Sequence, residues 1–349
     1  MSRVLVLCTA RGIPIDGPSG ASAHLRGVAR ALADVGHTVR VAAPLRHDAR
    51  GEHDRLELPV TTLAPRRWPR WLREQGETRD SRALAQAASA FHPDWIWERH
   101  TLLGDGGLRL AAALGVPRIV ELNAPLALER PGIRWRRRAR RIERADLIAA
   151  DRVIAVSSWL ADWARTLGVA PDAIRHVPNG TALVRAGDRA GTRRRLGLTG
   201  LVLGFVGTHK PWHGLVRLPA ILDAVPEATA LVVGGGPTPV PVHPRIHAIG
   251  WSPPESLADL VAAMDVGLVP YPADAPPWFC PLKVFDYWAQ GVPVVGADHG
   301  DLRSLADVVA GHDPNSWARA IREAAGLPRQ RRIRSWTQVV DEATHGWPT

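Results

Sequence analysis

The segment Arg3–Pro44, RVLVLCTARGIPIDGPSGASAHLRGVARALADVGHTVRVAAP, decides the fold class. It opens with an apolar run, Arg3–Ala10, that is typical of a buried strand and leads into a glycine-rich loop. A helix is then indicated by apolar residues at helical spacing, and Gly36 ends it before a second β-rich run, His37–Pro44. Strand, helix and strand in this order form the unit from which parallel sheets are built.

The same alternation continues along the chain and restarts near Leu201. Strands are predicted in Asp94–His100, Pro117–Asn123, Asp151–Ser157, Leu201–Gly207, Ala228–Gly236, Asp265–Tyr271 and Val292–Asp298, with helical patterns between most of them. The sequence therefore predicts an α/β protein with two doubly wound, Rossmann-like domains that face each other across a cleft. The predicted domains are residues 1–182 and 183–328, with a C-terminal helical segment, 329–349, that packs back on the first domain.

Composition excludes several classes of protein. The chain has 349 residues, a formal charge of +10 and 46% hydrophobic residues, which is typical of a folded globular protein. It contains no apolar run of the roughly 18–20 residues that span a bilayer. Its two cysteines, Cys8 and Cys280, form neither a disulfide framework nor a metal-ligand pattern. We expect a cytoplasmic protein without a signal peptide or a metal site.

Two segments are unusually basic. Ala64–Gln75 includes the arginine- and tryptophan-rich stretch Arg66–Arg73, and Glu129–Asp146 holds eight arginines, most of them within Arg134–Arg144. A solvated helix face is one interpretation. The others are peripheral contact with an anionic membrane surface and contact with an anionic substrate. Nucleic acid is not expected as a partner, because no nucleic-acid-binding motif is present.

The stretch CPLKVFDYWAQGVPVV, Cys280–Val295, predicts a short helix with an anion site at its start. Pro281 suits the first helical position and Gly291 the position after the end. The free N–H groups at Cys280–Lys283 attract an anion, and Lys283 adds a cation where the helix dipole alone disfavours one. A bound phosphate resolves that conflict. The alternative is a surface pair between Lys283 and Asp286.

The only other lysine, Lys210, lies in a second strand-to-loop turn, GFVGTHKPWHG, which contains Gly207 and His213. A third glycine-rich strand end, VVGGGP, includes Gly236. In an open α/β sheet such strand ends meet at the edge where ligands bind. Three of them, two with the only lysines, predict a site for a nucleoside diphosphate. The chain has neither a P-loop motif nor a dinucleotide fingerprint.

The motifs together resemble the family 4 retaining glycosyltransferases of the GT-B fold, over nearly the whole chain. GPSGASAHLRGVARALADVGHTVRV is similar to the glycine loop, helix and strand of that family, and HVPNG (His176–Gly180) to the segment that ends its first domain. GFVGTHKPWHG and PLKVFDYWAQGVPVV resemble its two main donor-binding motifs. The combination is specific, although each motif alone is weak.

The resemblance implies transfer of a sugar from a nucleoside-diphosphate sugar to an acceptor that the sequence does not identify, without a metal or other cofactor. Asp286 corresponds to the glutamate that binds the ribose hydroxyls. Lys210 and Lys283 neutralise the diphosphate, Gly20 approaches it from the first domain, and Arg99 or His100 faces the transferred sugar. The implied catalytic residues are His100, Arg99 and Lys210; the implied donor contacts are Gly20, Gly207, Thr208, Lys210, His213, Gly236, Cys280, Leu282, Lys283 and Asp286.

The chain departs from the family pattern at several of these positions. Thr208 and His213 stand where the arginine and lysine of the first donor motif are usual, and Trp278 replaces the first glutamate of the second. Two other functions stay open at this point: a sugar-nucleotide epimerase of the same architecture, which needs paired carboxylates near the sugar, and a non-catalytic basic protein that binds an anionic polymer.

Overall fold

The chain divides into two compact units. The computed structural model describes residues 1–44, 56–63, 66–130 and 132–347. One unit consists of Met1–Pro178 together with Trp336–Thr349, and the other of Asn179–Ser335. Pro348 and Thr349, at the end of the predicted C-terminal segment, lie outside the described residues, as do Ala64, Pro65 and Pro131 in the two basic segments.

The first unit is built on a parallel sheet. Its described strands are β1 (Arg3–Leu7), β2 (Thr38–Ala42), β3 (Val60–Thr61), β4 (Trp95–Arg99), β5 (Arg118–Leu122), β6 (Arg152–Ala155) and β7 (Ile174–His176). They lie in the order β3-β2-β1-β4-β5-β6-β7. All residues of β4 and β5 are buried, because helices cover both faces of a parallel sheet.

The helices of this unit follow the strands along the chain. They are α1 (Gly20–Asp34), α2 (Arg73–Ala88), α3 (Gly106–Leu114), α4 (Leu126–Glu129), α5 (Arg136–Ile148) and α6 (Ser158–Thr166). Helix α1 begins where the side chain of Ser19 accepts a hydrogen bond from the N–H of Ser22. This N-cap satisfies one of the four N–H groups that a helix start leaves unpaired.

The second unit repeats the arrangement. Its described strands are β8 (Leu201–Val206), β9 (Ala228–Val233), β10 (Ile246–Ile249), β11 (Val266–Val269), β12 (Val294–Ala297) and β13 (Val308–Ala310), in the order β10-β9-β8-β11-β12-β13. All described pairings are parallel, so the carboxyl ends of β9, β8 and β11 lie side by side at one edge of the sheet.

Six helices belong to the second unit: α7 (Arg189–Leu196), α8 (Leu218–Ala224), α9 (Pro254–Ala262), α10 (Leu282–Ala289), α11 (Leu302–Leu305) and α12 (Pro314–Ala325) within its described residues. One continuous apolar core lies between them and the sheet, with Phe205, Met264, Tyr287 and Trp317 among its members. The prediction of an α/β protein with two parallel sheets is confirmed.

The last helix, α13 (Trp336–Thr344), belongs to the first unit and packs on α1. The Trp336 indole covers Gly27, where an added Cβ would lie 2.4 Å from the indole nitrogen, and the ring of His24 lies 4.6 Å from it. The chain crosses between the units at 178/179 and 335/336, near the predicted ends at 182 and 328. The N–H of Thr181 donates to the carbonyl of Arg334 at 2.9 Å. This hydrogen bond joins the two segments of the second unit that lie next to the crossings.

The helix predicted in Cys280–Val295 starts one residue later than expected. Pro281 is the N-cap, with an extended ψ of 114°, and Leu282 is the first helical residue. Gly291 follows the C-cap with φ 66°, as the sequence predicted.

Candidate functional site

Two glycine-rich loops of the second unit pack backbone against backbone. Gly207 follows β8 and Gly234 follows β9, with φ of 118° and 123°. A Cβ on Gly234 would lie 2.2 Å from the carbonyl oxygen of Gly207. Further along the same two loops, the N–H of His209 donates to the carbonyl of Gly235 at 3.0 Å, and Gly236 lies against the His209 backbone. Neither contact leaves room for a side chain, so backbone atoms line this edge of the sheet.

Gly234→Ala is expected to destabilise the protein by about 1–3 kcal/mol, because alanine is strained at this φ and its Cβ meets backbone atoms. Gly235→Ala is the matched control: an added Cβ there has no atom within 4 Å. We expect it to change the free energy of unfolding by less than about 0.5 kcal/mol. Urea denaturation measures both values, and equal effects would contradict the assignment of a close approach at Gly234 alone.

Lys283 lies beside these loops. The residue is 6% exposed, and its Nζ has no hydrogen-bond partner among the described residues. Nζ lies 3.9 Å from the centroid of the Phe205 ring, and a Cβ on Gly207 would be 3.8 Å from Lys283 Cε. Burial lowers the pKa of the Lys283 ammonium to about 7, while the charge of Asp286 acts in the opposite direction. The surface pair considered from the sequence is therefore wrong: Lys283 is a buried cation.

The start of α10 adds two donors to the same place. Among the described residues, no acceptor pairs with the backbone N–H groups of Leu282 and Lys283. Such groups at a helix start favour an anion. Cys280 lies just before them and is oriented by Asn179: its carbonyl oxygen accepts from Asn179 Nδ2 at 2.8 Å, and its Sγ lies 3.4 Å from the Asn179 N–H. Burial raises the pKa of the Cys280 thiol to about 12, so this thiol stays protonated.

Asp286 lies one turn along α10 from Lys283. Its Oδ1 accepts a hydrogen bond of 2.6 Å from the hydroxyl of Thr181. Burial raises the pKa of the Asp286 carboxyl to about 6, against the hydrogen bond from Thr181 and the charge of Lys283. Its second oxygen accepts no hydrogen bond from the described part of the chain, so one carboxylate oxygen is available to a ligand.

The loop after β8 carries a half-exposed lysine, a buried histidine, His209, and a half-buried one, His213. Nδ1 of His213 is hydrogen-bonded to the carbonyl of Thr208, and its ring stacks on Tyr271 with centroids 5.8 Å apart. Burial, followed by the charge of Lys283, lowers the pKa of His213 to about 3. His209 has its pKa lowered by the same two causes, and Lys210 lies with its Nζ 5.9 Å from the Trp212 ring. His213 is therefore uncharged at neutral pH, unlike a lysine at the same position.

Further aromatic side chains surround these loops, and sequence reasoning did not assign them. Trp212 and Phe279 stack with centroids 6.1 Å apart, Tyr271 meets Phe279 at 6.2 Å, and His299 meets Tyr271 at 6.5 Å. They follow β8, β11 and β12, which are neighbours in the sheet. The only available signal was that each aromatic residue comes soon after a predicted strand. Trp278 joins the group through Phe279.

In the first unit, the structure gives His100 a structural role. Its Nδ1 lies 3.0 Å from Asp146 Oδ2 and its Nε2 lies 3.2 Å from Glu143 Oε1. Burial alone would lower the pKa of the imidazole, but the hydrogen bonds and charges of the two carboxylates outweigh it and raise the pKa to about 9. Without a ligand, both ring nitrogens of His100 are paired with carboxylates and the side chain is 1% exposed, so its contact with a sugar stays a prediction.

Arg99 is also buried in an ion-pair cluster. Its guanidinium donates to Glu121 at 3.1 Å, and Glu121 further accepts from Trp97 and lies 2.8 Å from Nε2 of His24. The guanidinium pairs with Glu121, and the sugar-facing role of Arg99 stays a prediction. Gly20 is the first residue of α1 and lies in the first unit, whereas the other implied donor contacts lie in the second.

Two family descriptions match the chain. Residues 18–185 match "Glycosyltransferase Family 4" and residues 200–326 match "Glycosyl transferases group 1". The chain is 31% identical over 288 residues to D-inositol 3-phosphate glycosyltransferase of Acidothermus cellulolyticus, covering 68% of this chain and 62% of that protein. It is 30% identical over 295 residues to D-inositol 3-phosphate glycosyltransferase 2 of Catenulispora acidiphila, covering 73% of this chain and 67% of that protein. This chain belongs to glycosyltransferase family 4.

Solved structures show that this family 4 member has the GT-B fold. Sucrose-phosphate synthase from Thermosynechococcus elongatus superimposes with a TM-score of 0.71 at 19% identity, covering 98% of this chain and 95% of that one. HepE from Anabaena, in complex with UDP and glucose, gives a TM-score of 0.66 at 18% identity and the same coverage. The match with the first curated relative spans only about 62% of that relative's length.

The chain departs from the family 4 pattern in the charges of its first donor motif. The usual lysine is replaced by His213, which burial keeps neutral, and the usual arginine by Thr208. Lys283 and Lys210 are the cations of the two donor motifs that remain at this edge of the second unit. No described helix is long and apolar enough to cross a bilayer.

Proposed function

We propose that this family 4 glycosyltransferase moves a sugar from a nucleoside-diphosphate sugar to an acceptor with retention of configuration, and that the second unit binds the donor. The observation that carries the proposal is the buried ammonium of Lys283. A buried charge without a partner costs several kcal/mol. An anion placed between Lys283, the N–H groups at the start of α10 and the Gly207 loop would offset that cost.

A diphosphate is the anion that fits this place best. The site combines the unpaired N–H groups at the start of α10 with the N–H of Thr208, which pairs with no acceptor among the described residues, and with one buried cation and one half-exposed cation, Lys210. A diphosphate carries enough acceptor oxygens to use the donors of both elements. The HepE structure, whose complex holds UDP and glucose, has the same fold and supports a nucleotide donor.

Asp286 is proposed to bind the ribose of the donor. Its Oδ1 is held by Thr181, which fixes the orientation of the carboxylate, and its other oxygen can accept from a ribose hydroxyl. The side chain is one methylene shorter than the glutamate usual in the family. We propose that the shorter side chain brings the ribose closer to α10.

Catalysis is assigned to stabilisation of the leaving group. When the sugar–oxygen bond breaks, negative charge develops on the β-phosphate, and preorganised donors stabilise that charge without reorganising. Lys283, Lys210 and the α10 amides supply such donors in this proposal, which includes no metal. Among the described residues of this edge, Asp286 is the carboxylate beside Lys283, and its proposed ribose contact leaves it no role as a nucleophile. Attack by the acceptor on the same face as the departing phosphate is therefore proposed, as the family resemblance implies.

The test is a thermal-shift panel with UDP, GDP, ADP and TDP and their sugar conjugates. Binding at one hundred times Kd stabilises the folded state by about 2.7 kcal/mol. Turnover is then measured with the stabilising donor and an acceptor panel that includes inositol 3-phosphate, which the relatives' names suggest. No shift with any nucleotide would overturn the donor site. Conversion of the donor to an epimer without an acceptor would replace transfer by epimerisation.

Lys210→Ala is expected to weaken donor binding about tenfold, because a charged hydrogen bond to phosphate is worth about 1.5 kcal/mol. Stability should change little, since Lys210 is half-exposed. Isothermal titration with the stabilising nucleotide measures the affinity, and Arg194→Ala, an exposed cation on α7, is the control. Unchanged affinity and turnover would remove Lys210 from the diphosphate site.

A further inference from the structure

The first unit presents a surface that the proposed function does not use. We call it the basic tryptophan face. It consists of side chains from two separate segments of the sequence, and all its members are exposed: Arg67, Arg70, Trp71, Arg73, Trp135, Arg136, Arg137, Arg140 and Arg141.

Hydrogen bonds join the two segments into one surface. The carboxylate of Glu74, three residues after Trp71, accepts from the backbone N–H of Arg134 at 2.6 Å and of Trp135 at 3.0 Å. One helical turn later, Glu77 accepts both arms of the Arg130 guanidinium at 2.6 and 2.7 Å. The start of α2 is therefore fixed to the start of α5, and Trp71 lies three residues before the glutamate that accepts from the N–H of Trp135.

Helix α5 is one-sided in charge. Its inward face carries Ala139 and Leu147 together with both acids of the helix, Glu143 and Asp146. The outward stripe consists of arginines 136, 137, 140 and 141, and in the described part of the chain none of their guanidinium groups pairs with a carboxylate. An ordinary solvated helix face mixes both signs of charge. In this stripe all the charges are positive.

Large apolar side chains are exposed within the same surface. Trp71 is 64% exposed and Trp135 is 46% exposed, and Leu128 on the neighbouring α4 is 44% exposed. Trp68, only three residues before Trp71, behaves differently: its indole covers Gly76 and donates to Asp80 at 3.1 Å. Packing within the unit therefore accounts for a tryptophan at position 68, but it does not account for the exposed indoles of Trp71 and Trp135.

We propose that the basic tryptophan face docks the first unit on an anionic lipid bilayer. Unpaired arginines complement lipid phosphates, and indoles are the side chains that settle at the boundary between headgroups and acyl chains. A soluble polyanion would use the arginines but gives exposed indoles no apolar phase to enter. The combination of both features favours a lipid surface over nucleic acid or another charged polymer.

The first experiment is co-sedimentation of the full chain with vesicles of phosphatidylcholine alone and with 30% phosphatidylglycerol. We expect binding only to the anionic vesicles, weakening as salt rises. The double variant R137E/R141E should lower the partition coefficient at least about twentyfold, since each basic residue contributes about fivefold near such a surface. R194E/R319E reverses the same number of exposed charges in the second unit and should leave binding within about twofold.

The second experiment separates lipid from polyanion. W71A/W135A should reduce vesicle binding and abolish fluorescence quenching by brominated lipid, while leaving binding to heparin unchanged. Thermal unfolding of each variant shows that it folds. No salt-sensitive co-sedimentation of the wild-type protein would overturn the proposal, as would equal losses in R137E/R141E and R194E/R319E. Heparin binding with no effect of W71A/W135A on vesicles would assign the face to a polyanion.

Discussion

Lys283→Met is expected to abolish binding of a nucleoside diphosphate and at the same time to stabilise the ligand-free protein. The Nζ of Lys283 is buried without a hydrogen-bond partner among the described residues. In the free protein the ammonium is therefore a cost, and with a diphosphate bound it becomes the counter-charge of the ligand. Methionine keeps a similar volume and removes the charge.

The two effects have opposite signs, so a merely misfolded variant cannot imitate them. The dissociation constant for the nucleotide should rise at least about hundredfold, because the ligand loses a buried charged partner. The free energy of unfolding without ligand should rise at neutral pH, because burial holds the pKa of the Lys283 ammonium below its unfolded value and methionine has no charge to remove from water. Titration calorimetry and urea denaturation measure them. Lys210→Met, at the half-exposed cation, should show the weaker affinity loss and no gain in stability.

The pH dependence of the wild-type protein provides a further check on the same lysine. Its folded-state pKa of about 7 lies below the unfolded value of about 10.4, so between these pH values the folded protein binds fewer protons. Its contribution therefore makes stability rise with pH from about 7 towards 10, and Lys283→Met should lack this rise. Nucleotide binding takes up a proton above pH 7, so affinity should fall as pH increases. Parallel pH profiles of the two proteins would contradict the assignment.

Arg118→Leu is expected to cost about 3–5 kcal/mol of stability, the largest loss predicted in the first unit. Arg118 donates to Glu98 at 2.5 Å and to Asp146 at 2.6 Å, and all three side chains are at most 2% exposed. Removing the guanidinium leaves two buried carboxylates beside each other without their shared cation. Thermal or urea unfolding measures the loss.

Acidification should recover part of the stability of Arg118→Leu. Burial, followed by the charge of Asp146, already raises the pKa of Glu98 to about 7. Without Arg118 the pKa of Glu98 rises further, and the pKa of Asp146, which Arg118 and His100 hold below its ordinary value against burial, rises as well. Lowering the pH then neutralises the carboxyls and relieves the repulsion. The loss relative to the wild type should therefore be smaller at pH 5 than at pH 8. Arg109→Leu is the control: its i,i+4 pair with Asp105 is exposed on the arginine side, and its loss should stay below about 1 kcal/mol. A similar loss of stability in both variants would contradict the assignment of a stabilising role to the buried cluster.

Much of the fold could be predicted because its signals are local. The central strands of the two sheets are short apolar runs, and helix α1 shows its own periodicity, as in Arg3–Pro44. The helix α10 was predicted within one residue from Pro281 and Gly291 for the same reason. The start of that helix, and with it the position of Lys283, depends on neighbours in sequence.

The state of the charged side chains could not be predicted in this way. The sequence pattern around His100 is that of a strand end, which fits a ligand site and a buried structural histidine equally well. Its partners, Glu143 and Asp146, lie more than 40 residues away along the chain. Likewise, Asp286 is held by Thr181 across 105 residues of sequence. No local pattern contains these pairs.

The amino-acid sequence by itself determined the alternation of strands and helices, the two parallel sheets and the glycine-rich turns at one sheet edge, because apolar spacing and backbone freedom act over a few residues. Only the tertiary structure decided which charges are removed from water and what they face. It buried Lys283 with no hydrogen-bond partner among the described residues, neutralised His213, paired His100 and Arg99 with carboxylates, and joined the start of α2 to the start of α5. Those outcomes depend on desolvation and on contacts between distant segments.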